Sequence, residues 1–186
     1  MSLLNITSSG GDFDPYVKYN AKSGRWYFKD GDEEKEVEKP TFVADFDNIK
    51  TGWMLFLEGQ APDKVFDVNL TEPAPKPSDQ HKRGFVVRLF SEKSFNGVVE
   101  LSATSMHMCN SINELYEQYD ADKKDGKLPV VSFTGSTPMK DKFGTNYKPN
   151  FKIEKWVDRP EAFSTSNDAV ETATPESVAD SGESEF

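Results

Sequence analysis

The sequence has one cysteine, two histidines and no long apolar run, and each shortage excludes a class of protein. A single cysteine, Cys109, cannot form an internal disulfide, which excludes a disulfide-stapled secreted domain and fits a reducing cytosol. No window approaches 18 apolar residues, so no membrane-spanning helix is predicted. The opening segment MSLLNITSSGGDFDPY has no basic region and no long apolar run, so we expect neither a signal peptide nor an anchor. We therefore predict a cytoplasmic protein.

The same shortages leave few residues for catalysis or metal binding. His107 and Cys109 stand two apart on a predicted helix, where their side chains diverge, and no second pair completes four ligands. His81 lies beside a proline-rich loop, and no glycine-rich phosphate-binding loop is present. Asp45 and Asp47 would share one face of a strand, where they could hold a cation or, as we prefer, form a solvated edge. We predict no enzyme, no metal site and no cofactor.

Acidic residues are concentrated in two segments rather than spread over the chain. The net charge is −10, of which residues 160–186 contribute −7 and residues 30–38 contribute −5, so the remaining residues sum to +2. The overall charge therefore does not exclude nucleic acid as a partner of the folded part.

Composition divides the chain into three parts. Residues 1–14 are small and polar, and we expect a flexible arm there. Residues 15–159 contain the aromatic and β-branched runs of one predicted domain. From residue 160 Ser, Thr, Ala, Glu and Pro predominate. Such a segment buries too little apolar surface to offset its ordering entropy, so residues 160–186 are predicted to be a disordered acidic tail.

Short aromatic and β-branched runs predict strands within the domain. A hairpin is expected around the glycine-containing turn of PYVKYNAKSGRWYFK, followed by a loop at the acidic run 30–38. Segment 40–59 predicts two strands, or one strand bent at Gly52, and the proline-rich segment 71–82 predicts a loop. Further strands are predicted for RGFVVRLFS, for the segment after Asn96-Gly97, and for LPVVSFTGS and NYKPNFKIEKWV, with a polar loop TPMKDKFG between the last two.

One segment has helical periodicity. Met108, Ile112, Leu115 and Tyr119 fall on one face of SMHMCNSINELYEQYDAD, and Thr104 or Ser105 can cap its start. Several strands, one helix and two more strands predict a mainly β fold. The order fits an oligonucleotide-binding (OB) barrel, which has five strands and a helix between the third and fourth, here with extra strands. Many α+β domains share this order.

Aromatic residues make up 12% of the chain, more than one small core requires, and many stand next to lysine or arginine. Single-stranded nucleic acid needs cations along its backbone and flat rings for its bases, each stacked base contributing roughly 1–3 kcal/mol. The predicted DNA-binding residues are Tyr16, Lys18, Arg25, Tyr27, Arg88, Phe90, Tyr147, Lys148, Lys152 and Lys155. For any single ring, burial is the competing interpretation, and we assign to the core Phe42, Phe56, Phe85, Phe133, Phe151 and Ile153.

The acidic tail has a role if the body attracts phosphates. A tethered carboxylate-rich segment competes with nucleic acid at high effective concentration, over a screening length of about 8 Å at physiological salt. The last residue, Phe186, combines an apolar ring with a carboxylate, which suits a small apolar pocket beside a cation on a partner protein. A purely solubilising tail is the alternative.

Together these features resemble bacteriophage single-stranded DNA-binding proteins. The resemblance is carried by the β-rich body with one helix, by VSFTGS and NYKPNFKIEKWVDRP, and by the acidic tail ending ESEF. It implies an OB fold and a tail that competes with DNA and recruits polymerase, helicase or primase in the host cytoplasm. The tail residues that match are Asp180, Glu183, Glu185 and Phe186. Bacterial relatives of this class usually have a proline before the last Phe and contiguous Asp, so the phage branch fits better.

The sequence thus predicts a non-enzymatic, sequence-tolerant single-stranded DNA-binding protein of replication or recombination, with self-association left open. The competing hypothesis is an acidic protein-interaction or inhibitor module that mimics DNA and occupies a host or replication enzyme. It predicts a folded surface that is mostly negative and a body that does not retain oligonucleotide.

Overall fold

The computed structural model describes residues 15–165, and these form a mainly β domain with one ten-stranded sheet. The prediction of a mainly β fold is confirmed. Residues 1–14, expected to be a flexible arm, and the tail residues Asp180, Glu183, Glu185 and Phe186 lie outside the described residues.

The predicted N-terminal hairpin is present and has a third strand. β1 (Tyr16–Asn20) pairs with β2 (Arg25–Asp30), and β2 pairs with β3 (Glu33–Val37), all antiparallel. The prediction of a loop at the acidic run 30–38 is therefore wrong. The backbone of this run completes a ladder with β2, and its charged side chains suit a strand at the edge of a sheet.

The next segment bends earlier than predicted. β4 (Thr41–Ala44) and β5 (Lys50–Leu55) are separated by a 3₁₀ turn at Phe46–Asn48, and β5 pairs with β6 (Asp63–Phe66). Gly52 lies inside β5 and not at the bend. It pairs with Gly84 of β7 (Lys82–Ser91). A Cβ at Gly52 would lie 2.4 Å from the Val65 carbonyl oxygen, so the close approach of β6 requires glycine there.

The middle of the chain follows the predictions closely. β7 (Lys82–Ser91) leads through the short helix α1 (Glu92–Phe95) and the left-handed Asn96 into β8 (Gly97–Ala103). The predicted helix is α2 (Met106–Asp122), and the Ser105 side chain accepts a hydrogen bond from the Met108 N–H at its start.

The last two strands are longer than predicted. β9 (Lys127–Asp141) and β10 (Gly144–Asp158) include most of the predicted loop TPMKDKFG, and only Lys142 and Phe143 remain as the turn. The ladder continues to the tip because Lys140 pairs with Thr145 and Met139 with Asn146. The chain also stays ordered past the predicted tail boundary, since α3 (Ala162–Thr165) packs on β7 and β8.

The main path of the sheet is β10-β9-β4-β7-β8-β1-β2-β3. β5 pairs with the same edge of β7 as β4 does, opposite β8, and β6 pairs with β5. All pairs are antiparallel except β1 with β8, which is parallel. β10, at one end of this path, contacts the β1–β2 hairpin near the other end, because the Tyr147 N–H donates to the Ala21 carbonyl beside β1 at 2.7 Å. The Tyr19 hydroxyl also donates to the Tyr147 carbonyl at 2.9 Å.

The core lies inside this curved sheet and against α2. Trp26 is 1% exposed and contacts Phe42, Phe133 and Phe151 with its ring. Of the residues assigned to the core from sequence, Phe42, Phe85 and Phe133 are buried, while Phe151 and Ile153 are partly buried against it. Phe56 is 45% exposed and that assignment is wrong, because it follows the end of β5 where the ladder to β7 has stopped.

Candidate nucleic-acid interface

The outer face of the N-terminal hairpin carries four of the predicted DNA-binding residues. Alternation along β2 buries Trp26 and Phe28 and turns Arg25 and Tyr27 outward, as predicted. On β1, the Lys18 ammonium lies 5.7 Å from the centre of the Tyr27 ring, which is its cross-strand partner. Rings and cations therefore alternate on this face in the arrangement that unpaired bases and phosphates require.

The acidic strand β3 neutralises part of that face. Lys18 pairs with Glu34 at 2.7 Å, and Arg25 pairs with Glu36 at 3.2 Å. These are exposed ion pairs, with side chains 39–60% exposed, so each contributes little to stability and is open to exchange with another anion. Both cations of the hairpin face are thus already paired with glutamates of β3.

Arg88 and Phe90 of β7 are covered rather than open. Phe90 is 4% exposed, and its ring contacts the Phe163 ring of α3 at 6.2 Å. The Arg88 guanidinium lies 5.3 Å from the Phe163 ring centre and donates to Asp45 at 3.1 Å. The sequence did not indicate that Arg88 and Phe90 are covered, because it assigned residues 160–165, which include α3, to the disordered tail.

The two aspartates do not share a strand face: Asp45 has neither role considered from the sequence, and Asp47 is exposed on the 3₁₀ turn. Asp45 is fully buried and accepts hydrogen bonds from Arg88 and Arg159, so it is neither a solvated edge nor an open cation site. Asp47, on the 3₁₀ turn, accepts a short hydrogen bond from the Tyr119 hydroxyl of α2. Burial raises the pKa of Tyr119, and its bond to Asp47 raises it further. Both carboxylates fix the bend between β4 and β5 to distant elements.

The four predicted residues of β10 lie along one strand but in different surroundings. Tyr147 is half-buried beside the β1–β2 turn, and Lys148 pairs with Glu114 of α2 at 2.7 Å. Lys152 is 65% exposed and lies 3.6 Å from Glu154, and Lys155 is exposed. The ten predicted residues thus form three groups, on the hairpin face, under α3 and along β10, rather than one groove.

The structure also brings together ring–cation pairs that the sequence did not indicate. The Lys50 ammonium lies 5.2 Å from the Phe66 ring centre across β5 and β6, and the Phe66 side chain is 40% exposed. Trp53 has two cations over its ring, Lys76 at 5.5 Å and Arg83 at 5.2 Å. The members of each pair are distant in sequence, and they meet through the β5–β6–β7 pairing and, for Lys76, through the loop between β6 and β7.

Asp67 anchors this second region. Its side chain is 3% exposed and accepts two hydrogen bonds from the Arg83 guanidinium, at 2.8 and 2.5 Å. Thr51 Oγ1 and the Ala74 N–H also donate to it. The bonds from Arg83, then those from Thr51 and Ala74, hold the pKa of Asp67 far below its usual range despite its burial. The loop after β6 is therefore fixed against β5 and β7.

A third exposed ring stands at the tip of the β9–β10 hairpin. Phe143 is 78% exposed, and the Lys142 ammonium lies 5.0 Å from its ring centre. Neither residue was among those predicted to bind DNA, because the sequence placed them in a polar loop.

One cluster bears on enzymatic activity. Ser78 Oγ lies 2.7 Å from His81 Nδ1, and His81 Nε2 lies 3.0 Å from Asp63. A nucleophile with its base and orienting acid has this composition. Here the Ser78 hydroxyl also accepts the Gln80 N–H, and the His81 N–H donates to the Ser78 carbonyl, so the cluster closes a tight turn before β7. We interpret it as a hydrogen-bonded cluster that stabilises that turn.

Two cavities are open at the surface. One, of about 630 Å³, lies between α2 and the β5–β7 pair, with Phe85, Met106 and Ile112 among its apolar walls and Lys82 and Arg83 at one side. Burial raises the pKa of Cys109, which lines it. The other, of about 740 Å³, lies between β3 and β7 and is lined by both lysines and glutamates.

Within residues 15–165, no helix is long and apolar enough to cross a membrane. No three His, Cys, Asp or Glu side chains of that part of the chain are grouped so that they could hold a metal ion. No family model, curated protein or solved structure matches the chain.

Proposed function

We propose that this chain is a non-enzymatic, sequence-tolerant single-stranded DNA-binding protein of replication or recombination, built on an OB-like barrel. The observation that carries the proposal is the set of surface rings that each have a cation within 6 Å: Tyr27 with Lys18, Phe66 with Lys50, Trp53 with Lys76, and Phe143 with Lys142. Stacking surfaces beside backbone-binding cations are what single strands require of a protein.

The strand pairing supports the OB-like part of the proposal. If β4 and β5 together are taken as the first strand, β7, β8, β9 and β10 follow as the second to fifth. The first strand then pairs with the second and the fourth, the second with the third, and the fourth with the fifth. The helix α2 lies between the third and fourth strands, as in OB barrels. The hairpin β1–β2 occupies the gap where the third and fifth strands of such a barrel would meet.

On this assignment the exposed pairs lie where OB domains contact oligonucleotides. Those domains use the face of the second and third strands and the loops that follow the first and fourth strands. Trp53 lies near the end of the first strand, Phe66 between the first and second strands, and Phe143 in the loop between the fourth and fifth. The face of β8 continues onto β1 and its partner β2.

The acidic tail is proposed to act as a competitor and as a recruiting segment for polymerase, helicase or primase in the host cytoplasm. Residues 166–186 contain six acids and no base. The folded chain reaches Thr165 with α3 packed on β7 and β8, so the tail leaves from the β7–β8 part of the barrel, close to the proposed DNA path. Phe186, with Asp180, Glu183 and Glu185, would contact the partner protein.

The test compares binding of a labelled 30-nucleotide single strand with its duplex by fluorescence anisotropy. We expect the single strand to bind more tightly, with a slope of about −0.7 in log affinity against log salt for each phosphate neutralised. Equal affinity for the duplex, or no retention at low salt, would reject the proposal.

The acidic inhibitor remains the second candidate, because one observation favours it. Glu33, Glu34 and Glu36 form an exposed acidic row on the edge strand β3, which could imitate a phosphate backbone. In the same experiment, a chain that retains neither oligonucleotide at low salt would support this alternative.

A further inference from the structure

We infer that the tip of the β9–β10 hairpin is a stacking finger, in which the Phe143 ring holds an unpaired nucleobase and Lys140 and Lys142 contact the flanking phosphates. The inference rests on the proposed function and names one contact that would provide it. We define the finger as residues 137–148, the part of the hairpin beyond the barrel.

The finger projects from the domain. Residues 137–144 are exposed without interruption, although they belong to a regular antiparallel ladder. Five paired residues on one strand extend about 15 Å, so the tip stands well clear of the core. An exposed two-stranded ladder is marginal by itself and needs support at its base.

Its base has that support on two sides. The backbone of Tyr147 exchanges hydrogen bonds with the β1–β2 hairpin, through the Ala21 carbonyl and the Tyr19 hydroxyl. On the other side Lys148 pairs with Glu114, and the Ser111 hydroxyl donates to the Pro149 carbonyl at 2.7 Å. The finger therefore points in a fixed direction, which lowers the entropy that a bound strand would have to remove.

The turn at the tip does not need a phenylalanine. Asp141 accepts the Phe143 N–H at 2.7 Å, and Gly144 has a φ of +117°, so these two residues satisfy the conformation of the turn. The Phe143 ring is 78% exposed and contributes almost no burial to the fold. A single exposed apolar residue is ordinary on a protein surface. This one differs because it is held at the end of a braced projection with a cation 5.0 Å from its ring.

The chemistry fits one ligand class. A flat exposed ring accepts any base by stacking, while Lys140 and Lys142 on either side of Asp141 attract the phosphates on both sides of that base. A duplex keeps its bases paired and offers no free face to the ring, so the finger selects single strands.

The experiment uses the full chain and the labelled 30-nucleotide single strand. Phe143→Ala should weaken binding by roughly 5- to 100-fold, the loss of one stacked base. Phe143→Trp should retain full affinity, whereas Phe143→Leu should resemble the alanine variant because leucine has no flat face. Met106→Ala is the control, since Met106 is 68% exposed at the start of α2, outside the proposed DNA path, and should leave affinity unchanged. Oligonucleotides carrying 5-iodouracil should also cross-link to Phe143 under ultraviolet light.

The outcomes separate this inference from the proposed function. If the wild-type chain binds the single strand and Phe143→Ala binds it equally tightly, the finger is overturned and the proposed function stands. Affinity restored by leucine would overturn stacking as its mechanism. A wild-type chain that binds no single strand would overturn both. All the variants should unfold at the wild-type temperature, which confirms that a change in affinity arises at the surface.

Discussion

Arg159 donates to both carboxylate oxygens of Asp45, at 2.7 and 3.0 Å, and so joins the end of the last strand to the bend between β4 and β5. Asp45 is fully buried, and Arg88 supplies a third hydrogen bond. The paired charges also lie beside the Phe163 ring, because both guanidinium groups are within 5.5 Å of its centre. This cluster sets the point from which the acidic tail leaves the folded domain.

Replacing Arg159 with methionine should destabilise the domain by about 3 kcal/mol, because a buried carboxylate loses one of its two guanidinium partners. Arg159→Lys should lie between wild type and methionine, since lysine keeps the charge but not the two parallel bonds. Urea unfolding measures both. Lys152→Met removes an exposed cation of β10, the strand that ends just before Arg159, and should change stability by less than about 1 kcal/mol. Equal effects of the two methionine variants would contradict the importance of the cluster.

Phe163→Ala should cost about 3 kcal/mol, since the ring is 2% exposed against Phe90 and Val130. It follows that a chain cut after Thr165 should keep wild-type stability, whereas one cut after Arg159 should lose about as much as the alanine variant. Thermal unfolding of the two truncated chains checks this. If both melt alike, α3 is not part of the stable domain.

Stability should fall in acid partly through Asp67. Its pKa in the folded chain lies far below the ordinary value of about 3.9 that applies when unfolded, so its contribution is complete above about pH 5. The contribution shrinks as the pH drops below about 4 and continues to shrink toward the folded pKa. Asp67→Asn should therefore be destabilised at pH 7 and approach wild type at pH 3. Urea midpoints at the two pH values test this, and a constant difference would contradict it.

Neutralising the acidic strand should strengthen DNA binding. In Glu34→Gln/Glu36→Gln, Lys18 and Arg25 lose their ion-pair partners, and affinity for a single strand should rise about two- to tenfold at low salt. Glu117→Gln on α2 is the control, since that glutamate is exposed and accepts a hydrogen bond from Asn113 rather than from a cation of the hairpin face. Anisotropy titrations at two salt concentrations would show a steeper salt dependence for the double variant. No change would remove the hairpin face from the DNA path.

Removing residues 166–186 should tighten single-strand binding, because six tethered carboxylates no longer compete for the same cations. Phe186→Ala should leave DNA affinity nearly intact, since the acids remain. The same titrations measure both variants, and affinity unchanged by the deletion would reject the competition.

Much of the fold could be predicted from local pattern. Trp26 and Phe28 alternate with outward residues as expected on β2, and α2 begins at its predicted cap beside Ser105. These features depend on neighbours in sequence, so periodicity and capping identify them. β3 was missed because the six acids of residues 30–38 suggested a solvated loop, whereas the backbone ladder to β2 determines its structure.

The candidate site was harder to predict because its pairs are made by tertiary contact. Lys50 meets Phe66, and Arg83 meets Trp53, only when β5, β6 and β7 lie side by side. The sequence pattern around Phe90 predicts an exposed ring, but α3 buries that ring. α3 was not predicted because it is short and lies in a polar segment. Sequence supplied the residue types of the surface but not their neighbours.

The parallel pairing of β1 with β8 has a consequence for synthesis of the chain. The N-terminal hairpin leaves the ribosome early, but the residues that receive it, Glu100 and Leu101, are made much later. Until then Val17 and Trp26 have no core to enter, and a lone hairpin is only marginally stable in water. The nascent chain therefore carries an exposed apolar hairpin face until β8 has been made, and on its other side the hairpin is bordered by β3, a charged edge strand of the kind that disfavours pairing with another chain.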